Sequence, residues 1–548
     1  MLDRHEIDSL FPADLAEPTH WEQQYPPRDL PAGAQVTRLG PSPTGFVHIG
    51  GIYVAMLDQA VARQSGGVYL IRIEDTDQAR EVGGATAQFD QAFEYFRVPS
   101  QETDETGRYG PYEQSRRAHI YETFAREFLR AGKAYLCFAT KEELAACAEE
   151  QRAAKVPTGY YGRWALWRDA PDELVRERLA AGQPYVVRFR SPGEAAGRVT
   201  YTDVIRGAIE ADDNRNDIVI LKSSANDLRL PTYHFAHLVD DHLMRITVVI
   251  RGEEWISSVP VHLQLFDAAE FDRIAYAHIA PLMKLDGSAR RKLSKRKDPE
   301  ANVEFYISAG YPVDGLLYYL RGLANGRLAE LPLEQALREP LLLSECGVAG
   351  PLVDLVKVED ITADLIAAMD SGEILRQVLE WAASYDPGLA EAITGEPDLA
   401  RAVLAIEREG VDNPRKDLRK WSDFRPVYGY FFRSLFEPVS DPADPRMGGL
   451  APAVVQRLCA DLLRDYRGLT DSDAWFGQIR AVAEANGFAS SVKEYKKDPT
   501  AYVGSIREAS QVIRVLLTGS MRSPGLHLVA AALGEAEVRR RIGLVLAG

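Results

Sequence analysis

AQVTRLGPSPTGFVHIGGIYVAMLDQAVARQSGGVYLIRIEDTD, residues 34–77, decides the fold. VTRL predicts a short strand and the Pro- and Gly-rich stretch 40–51 a turn. IYVAMLDQAVARQ, with apolar residues returning every three or four positions, predicts an amphipathic helix. GVYLIRIEDTD then alternates as a strand ending in three carboxylates. Strand, turn, helix and strand make a βαβ unit, the building block of a parallel, doubly wound sheet. RITVVIRGEEW (245–255) has the same character, an apolar run ending in charge. Buried parallel strands that deliver a site at their C-terminal ends read this way.

Around this nucleus the pattern changes three times. Residues before about 35 are rich in Pro, Asp and Glu and read as an irregular extension. From 119 to 228, helical stretches (HIYETFAREFLRAGKAY, KEELAACAEEQRAAK) mix with strand-like runs (PYVVRFRSP, DIVILKSS), as in an inserted α+β module. Beyond about 300 the periodicity is helical (VDGLLYYLRGLANG, ADLIAAMDSGEILRQVLEWAASY, AVVQRLCADLLRDY, ASQVIRVLLTG), broken by a Pro-rich loop at 436–449.

Composition bounds the class. A chain of 548 residues is too long for one core, and 46% hydrophobic with 26% charged residues is the mixture of a soluble globular protein. Collagen-like, disordered and disulfide-scaffold classes are excluded. The four cysteines are too sparse for a secreted framework, and no apolar run approaches the ~18 residues of a membrane span. The N-terminus has acids where a signal peptide needs bases, so a cytoplasmic protein is expected. The net charge of −16 argues against indiscriminate polyanion binding but not against a local basic face.

Two stretches could carry chemistry. PSPTGFVHIGG (41–51) sits between strand and helix, where glycines let phosphate oxygens approach backbone N–H groups at a helix start. Alone it reads more readily as a tight turn with a capping histidine. KLDGSARRKLSKRK (284–297) holds seven bases against one acid. Lysines there can neutralise a departing phosphate, although alone the stretch also reads as a solvated basic loop.

Together and in this order, PSPTGxxHIGG and KLSKR resemble a class I aminoacyl-tRNA synthetase, and further segments resemble the glutamyl-tRNA synthetase family. These are RIEDTD (72–77), GPYEQSRR (110–117), DIVILKSS (217–224), PTYHFAHLVDDHLM (231–244), VIRGEEW (249–255) and VLLTGSMRSPGL (515–526). The likeness runs from about Val36 to the C-terminus. It implies an α/β fold: a Rossmann-type catalytic domain with an α+β insertion, followed by an all-helical C-terminal anticodon-binding half. The expected boundaries are an extension at 1–35, the catalytic domain at 36–118 and 229–290, and an acceptor-end-binding insertion at 119–228. The KLSKR loop with a helical stem-contact domain is expected at 291–375, and the anticodon-binding region at 376–548.

The resemblance also implies an activity: ATP and glutamate form glutamyl-adenylate with release of pyrophosphate, and the glutamyl group passes to the 3′ end of tRNA(Glu). Catalysis would fall to His48, Lys292 and Lys295, and ATP binding to Thr44, His48, Gly50, Gly51, Glu254, Leu282, Met283 and Lys295. Glutamate binding would fall to Arg38, Ser42, Glu74, Tyr233, His237 and Arg251. The set makes chemical sense, since two guanidinium groups can grip two carboxylates while one carboxylate grips the ammonium. Arg251 separates glutamate from glutamine, whose amide would leave the cation unpaired. The other reading of Arg251 is an internal ion pair with Glu253 or Asp240. Mg2+ would accompany ATP, with no protein metal ligand, and a monomer without membrane contact is expected.

Three departures stand out. His237 replaces the Asn of the family pattern HxANVVDD. The segment Cys137-Phe-Ala139-Thr140 keeps one cysteine of the Cys-x-Cys pair that binds zinc in some relatives, so no zinc is expected. The extension before Val36 is longer than in most relatives. For tRNA, DNPRKDLRKWSDFRPVYGYFFR (412–433) interleaves bases with Trp421, Phe424 and Tyr428, which reads either as a phosphate-and-stacking surface or as core. The rival functions are a glutaminyl-tRNA synthetase, disfavoured by Arg251 and the helical C-terminal half, and a catalytically silent tRNA-binding paralogue, disfavoured by intact His48, Lys295 and Arg251. An adenylating enzyme for a small non-tRNA substrate is disfavoured by the helical half.

Overall fold

The computed structural model describes residues 2–43, 47–77 and 85–547. The chain divides into two compact units, one of residues 1–305 and 317–354, the other of 306–316 and 355–548.

The first unit opens with two short helices, α1 (Arg4–Asp8) and α2 (Pro18–Gln24), followed by β1 (Val36–Leu39), α3 (Ile49–Gln64), β2 (Val68–Ile71) and α4 (Ala85–Tyr95). β1 and β2 pair in parallel, Val36 opposite Val68, so the βαβ unit forms as the periodicity requires. Next come α5 (Ala118–Arg130), β3 (Ala134–Cys137), α6 (Lys141–Ala153), α7 (Asp172–Ala180) and β4 (Val186–Phe189). β5 (Arg198–Asp203), β6 (Gly207–Asp212), β7 (Val219–Leu221), α8 (Tyr233–Leu243), β8 (Val248–Gly252), α9 (Val259–Ala269) and β9 (Ala275–Ile279) follow. β3, β4 and β7 make an antiparallel sheet, while the strand order β6-β5-β9-β8 makes a second, mixed one. The β5–β6 hairpin, which the sequence assigns to an inserted module, therefore extends the sheet that contains β8. It joins at Asp203, opposite Tyr276. β1 adjoins β8 through Thr247, whose N–H donates to the Val36 carbonyl at 3.0 Å.

The extension is mostly irregular outside α1 and α2, but it is packed. Ile7, Phe11 and Leu15 recur every fourth residue and are buried, with Tyr25, in one core with Val36, Phe124 and Phe128. Asp3 and Glu6 form a reciprocal cap at the start of α1. The Tyr25 hydroxyl donates to the Gly110 carbonyl at 2.7 Å, and Arg28 grips Glu102 at 2.6 and 3.0 Å. Tyr25→Ala is expected to destabilise this unit by about 3 kcal/mol, the cost of emptying a buried aromatic site. A thermal scan checks this, and an unchanged transition would mean the strap carries no stability.

The basic stretch 284–297 forms a hairpin, β10 (Met283–Asp286) with β11 (Ala289–Lys292), turning at Gly287 with φ +63°. Three of its seven bases are paired with acids. Arg291 reaches Asp286 at 2.8 Å and Asp298 at 2.6 Å, Lys284 pairs with Glu300, and Lys292 lies 3.1 Å from Glu254.

The second unit is helical apart from a two-residue parallel pair, Phe488–Ala489 with Gly504–Ser505. The helices Ser371–Tyr385, Pro452–Asp465, Ser472–Ala485 and Ile506–Thr518 turn apolar stripes onto one core that includes Val378, Leu458 and Trp475. In 412–433, Trp421, Phe424 and Tyr428 belong to that core. Five of its six bases are neutralised: Arg415 by Asp417 and Glu407, Lys416 by Asp364, Arg419 and Lys420 by Glu359, Arg425 by Asp386. The core reading of that segment therefore holds, and its aromatics offer no stacking platform. Among the described residues no helix is long and apolar enough to cross a membrane.

Candidate active site

A cleft of about 560 Å3 opens where β1, β8 and β9 end and α3 begins. Arg38, Ser42, His48, Gly50, Gly51, Glu74, Tyr233, Arg251, Glu254, Leu282, Lys292 and Lys295 all line it. Residues from distant parts of the sequence thus meet at one place. Thr44 lies outside the described residues. His237 and Met283 are not among the lining residues.

At one end, His48 caps α3, its Nδ1 accepting the Gly50 N–H at 2.8 Å. That leaves Nε2 to carry the proton of a neutral ring. Burial, with repulsion from Lys295 and Lys292, pushes the imidazole down to about 4, so it is neutral at pH 7. A side chain at Gly51 would meet no atom within 4 Å, so its absence leaves the first turn of α3 open. Burial lowers the Lys295 ammonium below the ordinary lysine value. A cationic end with an open helix N-terminus is suited to phosphates. Met283 is committed elsewhere: its N–H donates to Pro351 O and its carbonyl accepts from Val353 N, both at 2.8 Å. Its N–H is therefore engaged, while its carbonyl keeps a second lone pair.

At the other end, charges are paired in depth. Arg72, fully buried, donates to Glu74 at 2.9 Å and also pairs with Asp241. Asp241 also receives Arg38 through two contacts of 3.4 Å. Glu74 packs on Gly40, where an added Cβ would run into its carboxylate. Arg251 differs. It is 5% exposed, yet among the described residues no carboxylate lies within ion-pair distance. Glu253 pairs with Arg206, and Asp240 with Arg117 at 2.7 Å, so neither proposed internal partner is engaged. Arg251 donates instead to neutral groups: Nε to His278 Nε2 at 3.0 Å, and the terminal nitrogens to the Tyr233 hydroxyl at 3.3 Å and the Trp255 carbonyl at 3.4 Å. A buried cation so placed has the capacity for an anion from outside.

His237 stands behind the cleft wall, fully buried, with Nε2 2.9 Å from the Tyr276 hydroxyl and Nδ1 2.6 Å from Asp241. Burial holds His237 and His234 at about 4, with Arg251 repelling both. The unfolded chain titrates near 6.5, so it takes up protons that the folded chain refuses, and stability falls as pH drops from about 6.5 towards 4. Each histidine adds up to about 1.4 kcal/mol per pH unit to that slope. Thermal scans across this range should show the fall, and His237→Asn should remove its share and leave that of His234. Equal slopes in both proteins would contradict the assignment.

Reading the sequence missed Trp255, Arg72, Asp241 and His278. Trp255 had a signal, since it ends the VIRGEEW segment; its ring packs 4.4 Å from that of Tyr233. In the insertion, Cys137 lies in β3 with Sγ 3.3 Å from the Tyr160 hydroxyl. No cluster of three His, Cys, Asp or Glu able to hold a metal occurs among the described residues. In the helical unit, Arg415, Arg507, Arg514 and Arg522 line an open cleft of about 520 Å3 with Gln511 and Ser523.

The family model for the catalytic domain of class I tRNA synthetases (E and Q) matches residues 35–334. A glutamate–tRNA ligase of Clostridium perfringens is 40% identical over 544 residues, covering 97% of this chain and 98% of that one. A glutamate–tRNA ligase of Sorangium cellulosum is also 40% identical, over 569 residues, covering 97% and 98%. Among solved structures, a glutamate tRNA ligase from Elizabethkingia meningosepticum, crystallised with its amino acid, shares the fold with a TM-score of 0.73. Its identity is 24%, over 94% of this chain and 99% of that one.

Proposed function

The chain belongs to the glutamate–tRNA ligase family of class I synthetases, and from that premise we propose how its cleft activates glutamate. The reaction is the ATP-dependent joining of glutamate to tRNA. The observation that carries the reading is Arg251, a buried guanidinium facing the cleft without an acidic partner among the described residues. It takes the side-chain carboxylate of glutamate. Tyr233 and Trp255, which accept from it, release its terminal nitrogens to the substrate. Glu74, held by Arg72, takes the α-ammonium, and Arg38 with Ser42 faces the α-carboxylate.

ATP lies with its phosphates between His48, Gly50, Gly51 and the two lysines, and with adenine against Leu282 and the preceding Ile279–Pro281 segment. An oxygen of the α-carboxylate attacks the α-phosphorus, the bond to the bridging oxygen breaks, and pyrophosphate leaves with its charge met by Lys295. Bound Mg2+ would supply further charge neutralisation at that end, where Glu254 is the carboxylate that could hold it. The Nε2 proton of neutral His48, engaged here by a backbone hydrogen bond to Leu293, is the donor it can turn to a phosphate oxygen. A hydroxyl of the terminal tRNA ribose, the 2′-OH as in class I enzymes, then attacks the acyl carbon and AMP departs. Nothing here needs a covalent enzyme intermediate, since positioning and charge suffice. His237 supports the wall through Tyr276 and Asp241 rather than touching substrate.

Arg507, Arg514 and Arg522 of the helical unit's cleft, where Arg415 is already paired with Asp417 and Glu407, are our candidates for tRNA phosphate contact. Charging of total tRNA with labelled glutamate and, separately, labelled glutamine tests the reading, with a nuclease control. Nuclease-sensitive label from glutamate alone is expected. Equal incorporation of glutamine would remove Arg251 from the side-chain role.

A further inference from the structure

Arg251 must not only be present but aimed. Three neighbouring strands supply a chain of contacts behind it. β8 and β9 run parallel in a register that sets Arg251 opposite His278, and β5 meets β9 at Asp203. Asp203 and His278 are both buried, at 1% and 0% exposure. Asp203 Oδ2 stands 2.6 Å from His278 Nδ1, and His278 Nε2 stands 3.0 Å from Arg251 Nε. An ionised carboxylate only accepts and a guanidinium only donates. One state of His278 satisfies both neighbours, the neutral ring with its proton on Nδ1 and a lone pair on Nε2. The carboxylate is itself fixed, since its Oδ1 accepts the N–H groups of Ile205 and Arg206 at 3.0 and 2.9 Å.

The contacts of Arg251 differ in length. The Nε bond is 3.0 Å, whereas those of the terminal nitrogens to Tyr233, Trp255 and His262 run from 3.3 to 3.4 Å. The short bond anchors the plane of the fork, and the long ones are those a carboxylate would replace.

We infer that Asp203 and His278 are positioning residues that hold Arg251 by its Nε, so that its two terminal nitrogens meet the substrate carboxylate as a pair. This rests on the assignment of Arg251 to the glutamate side chain. Without the acceptor at Nε, the fork is free to turn and satisfy Nε elsewhere in the pocket. Glutamate then loses its paired contact, while the ATP end of the cleft is untouched.

The test uses the full chain in steady-state charging with ATP, tRNA and glutamate. His278→Asn keeps a polar group towards Asp203 but has no acceptor that reaches Arg251. It is expected to raise KM for glutamate about tenfold or more, the scale of a hydrogen bond to a charged group, with KM for ATP within about twofold. Glutamate over glutamine selectivity should narrow with it. His278→Gln, whose amide oxygen reaches further, should recover most of the lost affinity. Equal defects in the two variants, or a parallel rise in KM for ATP, would overturn the relay. Arg251→Ala in the same assay separates the premises. If it leaves glutamate untouched, the parent reading fails and the relay falls with it. If it weakens glutamate while His278→Asn does not, the relay alone fails. A measurement on the unaltered protein removes dependence on the variants' folding: nitrogen-15 NMR of labelled histidine should find His278 protonated at Nδ1 only, and the Nε2–H tautomer would overturn the proposal.

Discussion

Replacing Lys295 with alanine should slow formation of glutamyl-adenylate about a thousandfold while leaving KM for glutamate within about threefold. Lys295 lines the cleft with His48 at the mouth of α3, remote in role from the Arg251 end. The charge it answers grows only as the bond to pyrophosphate breaks. An interaction made in the transition state and not in the ground state appears in kcat and spares substrate binding. The desolvation that lowers its own pKa also strengthens its field on a phosphate. Pre-steady-state measurement of adenylate with tRNA present checks this, and Lys295→Arg should restore part of the rate. If glutamate affinity fell as far as the rate, Lys295 would be organising the cleft instead of stabilising the leaving group.

Arg251→Ala should have the opposite profile. Removing one member of a buried, hydrogen-bonded charge pair costs 2–5 kcal/mol, so KM for glutamate should rise about a hundredfold or more with KM for ATP nearly constant. The protein has reason to tolerate the change. Among the described residues Arg251 neutralises no carboxylate of its own, so its loss strands no internal anion. Arg72→Ala would be a different experiment, because Asp240, Asp241 and Glu74 all lean on that side chain. Should ATP and glutamate weaken together in Arg251→Ala, the guanidinium is serving the fold.

What could be read beforehand divides along physical lines. The β1–α3–β2 unit was legible because strand and helix periods are local, and the turn between them carries its own Pro and Gly punctuation. Lining residues carried by motifs, such as His48, Arg251 and Lys295, were legible because those motifs resemble the glutamyl-tRNA synthetase family. The support beneath them was not. Arg72 and Asp241 are 169 positions apart, and Arg38 and Asp241 203 apart, a pairing that no local pattern encodes. His278 lies inside an apolar strand and gains its meaning only from the register with β8. The extension hid its helices because they are only five and seven residues long, and of Ile7, Phe11 and Leu15 only Ile7 lies inside one. The bases of 412–433 looked like a binding surface because their acids, Glu359, Asp364, Asp386 and Glu407, sit outside the segment.

The central claim is an orientation: glutamate lies with its side chain on Arg251, its ammonium on Glu74 and its α-carboxylate towards the phosphate end. A crystal structure of the chain with a non-hydrolysable glutamyl-adenylate analogue tests it most directly. The account predicts both side-chain carboxylate oxygens at about 2.8 Å from the terminal nitrogens of Arg251, with Tyr233 and Trp255 relieved of those contacts. A side-chain carboxylate seated on Arg38 instead, with Arg251 still bonded to Tyr233, would contradict it.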